Sequence, residues 1–179
     1  MIIRAAIEKD ADGIAEAHVK SWRETYQGIV SQQFLDELSK DERLKMWKQM
    51  LSAPQPGAAV FVAEEKGKII GFASFGKERT GELEADSELY AIYLLKEYKG
   101  KKVGTMLFKR GAEALLANGF SSLVVWVLND NPSRLFYESF KPVKLTEQMI
   151  NIGGNEYKET AYYWDNLQDL YLKLTSSEE

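Results

Sequence analysis

The residues best suited to chemistry lie in Ile92-Tyr93-Leu94-Leu95-Lys96-Glu97-Tyr98-Lys99-Gly100-Lys101-Lys102-Val103-Gly104-Thr105-Met106-Leu107. An apolar strand pattern runs into a turn with glycine at two positions and then directly into a helical pattern. The first turn of a helix leaves its amides unpaired, and beside a small, approachable backbone they make an anion site, most simply for a pyrophosphate. Lys99, Lys101 and Lys102 add charge of the right sign, and Thr105 adds a hydroxyl. Neither the Gly-x-Gly-x-x-Gly dinucleotide fingerprint nor the Gly-x-x-x-x-Gly-Lys-Ser/Thr phosphate loop is present. Taken alone, Gly100-x-x-x-Gly104 also fits an ordinary solvated strand-to-helix turn with its lysines in water.

Composition narrows the chemistry further. The 179 residues include no Cys and one His, which excludes disulfides, thiolate metal sites, a Cys nucleophile, a His-rich metal centre and any two-His mechanism. With 23 Lys plus Arg against 27 Asp plus Glu, the formal charge is −4, so nucleic acid is not an expected partner and a cationic one is slightly favoured. No apolar run approaches the ~18 residues that span a bilayer. Met1-Ile2-Ile3-Arg4-Ala5 also lacks the basic start and apolar core of an export signal. The expectation is a cytoplasmic chain with no membrane partner.

The flanking patterns supply the frame. A short strand over Ile2 to Ala6 precedes a helix capped by Asp10, whose face carries Ile14, Ala17, His18, Ser21, Trp22 and Thr25 and which Gly28 breaks. A second helical stretch carries Phe34, Leu35 and Leu38. A third, capped by Asp41, carries a packing stripe of Leu44, Trp47, Met50 and Leu51 and ends at Pro54-Gln55-Pro56-Gly57. From Ala58 the period changes: Ala58 to Glu64 and Lys68 to Phe75 form a hairpin, and Lys77 to Asp86 is a polar loop in which Glu84 and Asp86 are solvent charges. Ser87 to Leu94 is a strand, Val103 starts a helix that closes at Asn118-Gly119, and Ser122 to Leu128 is a buried strand. A short helix begins at Pro132, and strands over Val143 to Ile152 and Glu156 to Trp164 flank the turn Gly153-Gly154-Asn155. One α/β domain with a mixed sheet covers residues 1–174, and 175–179 read as a frayed polar tail.

Two segments resemble the GCN5-related N-acetyltransferase (GNAT) superfamily. Lys99-Gly100-Lys101-Lys102-Val103-Gly104 is similar to its acyl-CoA loop, Gln/Arg-x-x-Gly-x-Gly/Ala, with Lys99 for the Gln or Arg and Lys102 at the first Gly. Val124 to Glu138 looks like its strand, Asn-containing loop and short helix ending in Phe-Tyr, here Phe136-Tyr137. The resemblance spans Ile2 to about Tyr163 and implies a mostly antiparallel central sheet flanked by helices, the acyl-CoA N-acyltransferase fold. It implies transfer of an acetyl group from acetyl-CoA, without a metal, to the primary amine of a small molecule or peptide.

Residue by residue, the resemblance puts pantetheine on the main chain of Ile92, Tyr93 and Leu94 and pyrophosphate on Lys99, Gly100, Lys101, Lys102, Val103, Gly104 and Thr105. Asn131 contacts the pantetheine arm, with Asn129 a second candidate, and Ser133 is a further cofactor contact. Tyr137 is the general acid toward the thiolate. Glu88 is the base, because strand alternation sets Glu88, Tyr90, Ile92 and Leu94 on one face. His18 has two readings, a hydrogen-bonded, partly buried imidazole or a member of the acceptor wall with Trp22, Glu24 and Tyr26. A homodimer through the C-terminal strands is the family's suggestion. Two other readings stay open: an acyl-CoA-binding sensor with weak or lost catalysis, and a nucleotide-binding domain unrelated to CoA.

Overall fold

Helical period dominates up to Ser52 and alternation takes over after Pro56, and the computed structural model, which describes residues 1–177, follows that division. The first part is β1 (Ile2–Ala5), α1 (Ala11–Tyr26), α2 (Gln32–Glu37) and α3 (Lys40–Ser52). There follow β2 (Ala59–Glu65), β3 (Lys68–Lys77), β4 (Ser87–Leu94), α4 (Val103–Ala117), β5 (Leu123–Leu128) and α5 (Arg134–Glu138). The chain closes with β6 (Val143–Ile152), β7 (Asn155–Trp164) and α6 (Leu167–Ser176). Seven strands form one sheet in the order β1-β2-β3-β4-β5-β7-β6, antiparallel throughout except for the parallel pair β4–β5. This is the expected mixed, mostly antiparallel α/β architecture. No helix among the described residues is long and apolar enough to cross a membrane.

The sheet separates two layers. On one face Phe72 of β3 packs against His18 of α1 and Trp47 of α3, with ring centroids 5.2 and 5.0 Å apart. On the other face Phe75 stacks on Phe108 of α4 at 6.3 Å, and Phe108 also meets Tyr137, Phe140 and Trp164. Trp47, Phe72, Phe75 and Phe108 are fully buried, and each such side chain contributes about 2–3 kcal/mol of transfer free energy. The helix α4 takes its place because Val103, Leu107, Phe108, Gly111, Ala112 and Leu115 recur on one side of it. Its end is closed by Gly119 at φ 84°, beyond which no helix continues.

Three expectations are corrected. Asp10 makes no capping bond to α1: its carboxylate receives Arg4 at 2.7 and 2.8 Å and the amide of Ile7 at 2.8 Å, which ties β1 to the helix start. The cap of α3 is Ser39, which accepts from the amide of Glu42, while Asp41 sits in the first turn. The last helix takes in Thr175 and Ser176, whose hydroxyls bond back to the carbonyls of Tyr171 and Leu172. Glu178 and Glu179 of the expected tail lie outside the described residues.

The relation of β4 to β5 matters most for the site. Asp86 is no solvent charge: it accepts from the amides and hydroxyls of both Ser121 and Ser122 at 2.8–2.9 Å. This clasp holds the beginnings of the two strands together, and they pair at Ser87–Leu123, Glu88–Val124 and Leu89–Val125. Beyond Leu89 the pairing stops and the strands part. On its other side β4 stays paired with β3, but the register shifts by one: Phe75 faces Leu89 and Ser74 faces Ala91, so Tyr90 is an extra residue.

Candidate active site

A cavity of about 390 Å³ fills the gap where β4 and β5 separate. Its walls are β4 from Leu89 to Leu94, β5 from Val125 to Val127, the start of α4, the end of α1, and the loop and helix from Asn131 to Tyr137. From Tyr90 onward the edge of β4 that faces β5 offers main-chain donors and acceptors with no strand partner. An extended arm bearing amides satisfies such an edge as an added strand does. Ile92, Tyr93 and Leu94 line the cavity as expected.

The turn before α4 forms an anion cradle. The first bond within the helix runs from the amide of Met106 to the carbonyl of Lys102 at 3.0 Å, so the preceding amides are free of helical partners and carry the positive end of the dipole. Lys102, at the family's glycine position, adopts the left-handed conformation at φ 61°, and Gly100 lies at φ 73°. The lysine therefore keeps the backbone path that a glycine there would take. Lys99, Gly100, Lys102, Gly104 and Thr105 line the cavity. Lys99 donates to the Thr25 hydroxyl at 3.0 Å, and burial pulls its ammonium below the usual lysine range.

Gly104 lies on the cavity wall. A Cβ added there would meet nothing closer than 3.6 Å, and no left-handed φ requires glycine. Leu94 and Phe136 would stand 3.6–3.7 Å from that Cβ, at ordinary van der Waals distance, so packing against the protein does not require the glycine. Two of the expected cofactor residues turn their side chains elsewhere: Lys101 sits over the Tyr98 ring at 5.3 Å, and Val103 is in the core and leaves only its main-chain amide to the cradle.

On the opposite wall Asn131, not Asn129, reaches the cavity. Asn129 accepts from Thr160 at 2.6 Å, pointing toward the outer strands. Asn131 accepts from the amide of Ser133 at 2.8 Å and donates to the Tyr26 hydroxyl at 3.3 Å, which lies 3.4 Å from the Tyr93 hydroxyl. Ser133 and Tyr137 also line the cavity, and the Tyr137 hydroxyl makes no hydrogen bond among the described residues. Burial drives the phenols of Tyr26, Tyr93 and Tyr137 up, so all three hold their protons.

The extra residue at Tyr90 reverses the expected alternation of β4. By register, Glu88 opposes Gly76, Ala91 opposes Ser74 and Tyr93 opposes Phe72, so these share the α1–α3 face. Leu89, Ile92 and Leu94 point to the α4 face instead. Glu88 is 2% exposed and does not line the cavity. Its carboxylate holds Arg79 through Nε at 3.2 Å and Nη2 at 2.6 Å, and also receives the Arg79 amide.

Of the expected acceptor wall, only Tyr26 reaches the cavity. Trp22 packs behind Tyr26 at 4.4 Å, and Glu24 accepts the amide of Lys96 at 2.8 Å, tying α1 to the turn. His18 is the hydrogen-bonded, buried imidazole of the first reading: its Nδ1 accepts from Trp47 Nε1 at 3.2 Å. Thr25, Tyr90, Ala91, Trp126 and Phe136 line the cavity without having been singled out. The run Val125-Trp126-Val127 shows only a buried strand, and nothing in it marks where its partner leaves.

The sequence profile of the Acetyltransferase (GNAT) family matches residues 16–141. The chain belongs to the GNAT family. The uncharacterized N-acetyltransferase YuaI of Bacillus subtilis (strain 168) is 43% identical over 169 residues, 94% of this chain and 95% of the relative. Among solved structures, yncA of Salmonella typhimurium, determined with its cofactor acetyl-CoA, superposes with a TM-score of 0.69 at 21% identity, covering 92% of this chain and 93% of that one. PaiA N-acetyltransferase of Thermoplasma acidophilum, in complex with coenzyme A, gives a TM-score of 0.64 at 20% identity over 89% and 96% of the two chains. This GNAT protein is an acetyl-CoA-dependent acyltransferase, with acetyl-CoA as co-substrate. The reading as an unrelated nucleotide-binding domain falls with that membership. No group of three His, Cys, Asp or Glu able to hold a metal ion occurs among the described residues.

Proposed function

We propose that this enzyme transfers acetyl from acetyl-CoA directly to a primary amine, with Tyr137 as the acid toward sulfur. The observation that carries the reading is that the cavity opens between the two faces of the sheet. Gly104, Ser133 and Tyr137 line it from the α4 side, and Tyr26, Tyr93 and Trp126 from the α1 side. A thioester held on β4 is then approached by an amine from the face opposite the cofactor.

The neutral amine nitrogen forms a bond to the thioester carbon, the carbon–sulfur bond breaks, and sulfur leaves as thiolate. An unpaired amide of β4 polarises the acetyl oxygen as charge develops on it. The Tyr137 phenol, held protonated by burial, donates to the thiolate and regains its proton from water. The proton lost by the amine passes to water, since Glu88, expected as the base, is 2% exposed, lies off the cavity and is held by Arg79 on both carboxylate oxygens.

Replacing Tyr137 with Phe tests the assignment. The expected result is a kcat lowered by about 10²-fold or more with little change in acetyl-CoA affinity by calorimetry. Unchanged turnover removes Tyr137 from the acid role. Binding of acetyl-CoA by the wild type with no thiol release against any amine would leave only the sensor reading.

A further inference from the structure

We propose that the acceptor amine bears an anionic group at its far end, received by Arg79 and Lys77 in a second groove that shares Tyr90 with the catalytic cavity. This rests on acetyl transfer taking place at that cavity. The groove measures about 890 Å³ and lies between the end of α3 with Pro54 and Pro56, the first half of β2, and the end of β3.

Tyr90 lines both spaces. Being the extra residue of β4, it lies across Gly76, where an added Cβ would come 2.5 Å from its hydroxyl oxygen, and that hydroxyl donates to the Lys77 carbonyl. The floor between cavity and groove is thus fixed. An amine that reaches the thioester from the α1–α3 face has the groove as the continuation of its path.

The groups left free on the rim decide the chemistry. Glu78 is spent on the turn, accepting the amides of Thr80 and Gly81 and the Thr80 hydroxyl. Glu88 is spent on Arg79. Lys77 Nζ and Arg79 Nη1 have no partner among the described residues, and both side chains are exposed. The Arg79 guanidinium is held by Glu88 on one edge and lies 4.7 Å over the Tyr90 ring. Its outer edge is therefore oriented before a ligand arrives and suits the two oxygens of a carboxylate or phosphate. A cationic tail would find the Glu78 and Glu88 carboxylates already engaged and the exposed Lys77 and Arg79 facing it.

The test measures kcat/KM by thiol release for four acceptors of equal chain length: a plain alkyl amine, the ω-amino carboxylate, the ω-amino phosphate and the diamine. The expected result is a preference of about tenfold or more for an anionic acceptor over the alkyl amine, with the diamine poorest. The better of the two anions identifies the source. Arg79→Met should collapse the anionic-to-neutral ratio, and Lys77→Met should lower it, which keeps the test open if the first variant does not fold. Equal use of all four acceptors, a preference for the diamine, or a ratio untouched by both substitutions overturns the inference while the transferase stands. Failure of every amine to release thiol overturns the transferase reading itself and this inference with it.

Discussion

The side-chain amide of Asn131 donates to the hydroxyl of Tyr26 at 3.3 Å, joining the loop before α5 to the last turn of α1. The carbonyl of the same amide is taken by the Ser133 amide, so both ends of Asn131 are oriented. The same turn of α1 meets the phosphate cradle through Thr25 and Lys99 and holds Lys96 through Glu24. One turn of helix therefore braces both walls of the cavity between β4 and β5.

Tyr26→Phe removes the oxygen that Asn131 donates to and leaves a buried donor unpaired, a cost of about 1–3 kcal/mol. The expected outcome is a lower Tm, at roughly 2–4 °C per kcal/mol for a chain of this size. A raised KM for acetyl-CoA should accompany it. Steady-state kinetics at saturating amine and a thermal melt check both. A KM equal to that of the wild type would show that Asn131 does not need Tyr26 to hold its place.

Gly104→Glu separates the cavity from the fold. The new side chain has room at its root, with nothing closer than 3.6 Å, so the melting temperature should stay near that of the wild type. Its carboxylate enters the space in front of the free amides of α4 and opposes an anionic ligand. Calorimetric titration should show acetyl-CoA affinity lost by about 10²-fold or more. Retained affinity would mean that the pyrophosphate lies elsewhere.

Much of this arrangement was legible because period and glycine placement are local signals. The change from helical spacing to alternation at Ala58, the turn at Gly100 and Gly104, and the Asn131 to Tyr137 segment each carry their own mark. The reversal of β4 carries none. Leu89-Tyr90-Ala91-Ile92-Tyr93-Leu94 has no charged residue to show which side faces water, so an extra residue leaves the pattern unchanged and strict alternation puts Glu88 on the wrong face. The bonds that Asp86 and Glu24 make are hidden for a related reason. Their partners, Ser121 with Ser122 and the amide of Lys96, are distant in sequence, and a carboxylate on a loop or helix does not announce a distant amide.

Gly111 tests how closely α4 approaches the sheet. A Cβ there would overlap the Phe75 ring, and Phe75 is fully buried. Gly111→Ala gains up to about 1 kcal/mol of helix propensity, but it must displace the ring or the helix, and overpacking costs about 1–3 kcal/mol or more. The expected net effect is destabilisation. A lower urea midpoint with an unchanged m-value would confirm it, and a midpoint at or above the wild-type value would show that Phe75 can move aside.

His18 makes the fold acid-sensitive. Burial, with the Arg43 charge as a smaller cause, lowers its pKa to about 3, and Nδ1 is committed as the acceptor for Trp47. In the unfolded chain the imidazole titrates near ~6.5. Above that value both states are neutral and stability is at its plateau. Below it the unfolded chain binds a proton that the folded one refuses, so stability falls by up to ~1.4 kcal/mol per pH unit until pH about 3. His18→Gln keeps an acceptor for Trp47 and removes the titration. It should lose stability at neutral pH through poorer packing, yet lose about 2 kcal/mol less than the wild type between pH 7 and pH 5. Carboxylates titrate alike in both proteins and cancel in the difference. Urea unfolding of the two chains at each pH measures it, and parallel losses would mean that the folded protein takes up the proton at His18.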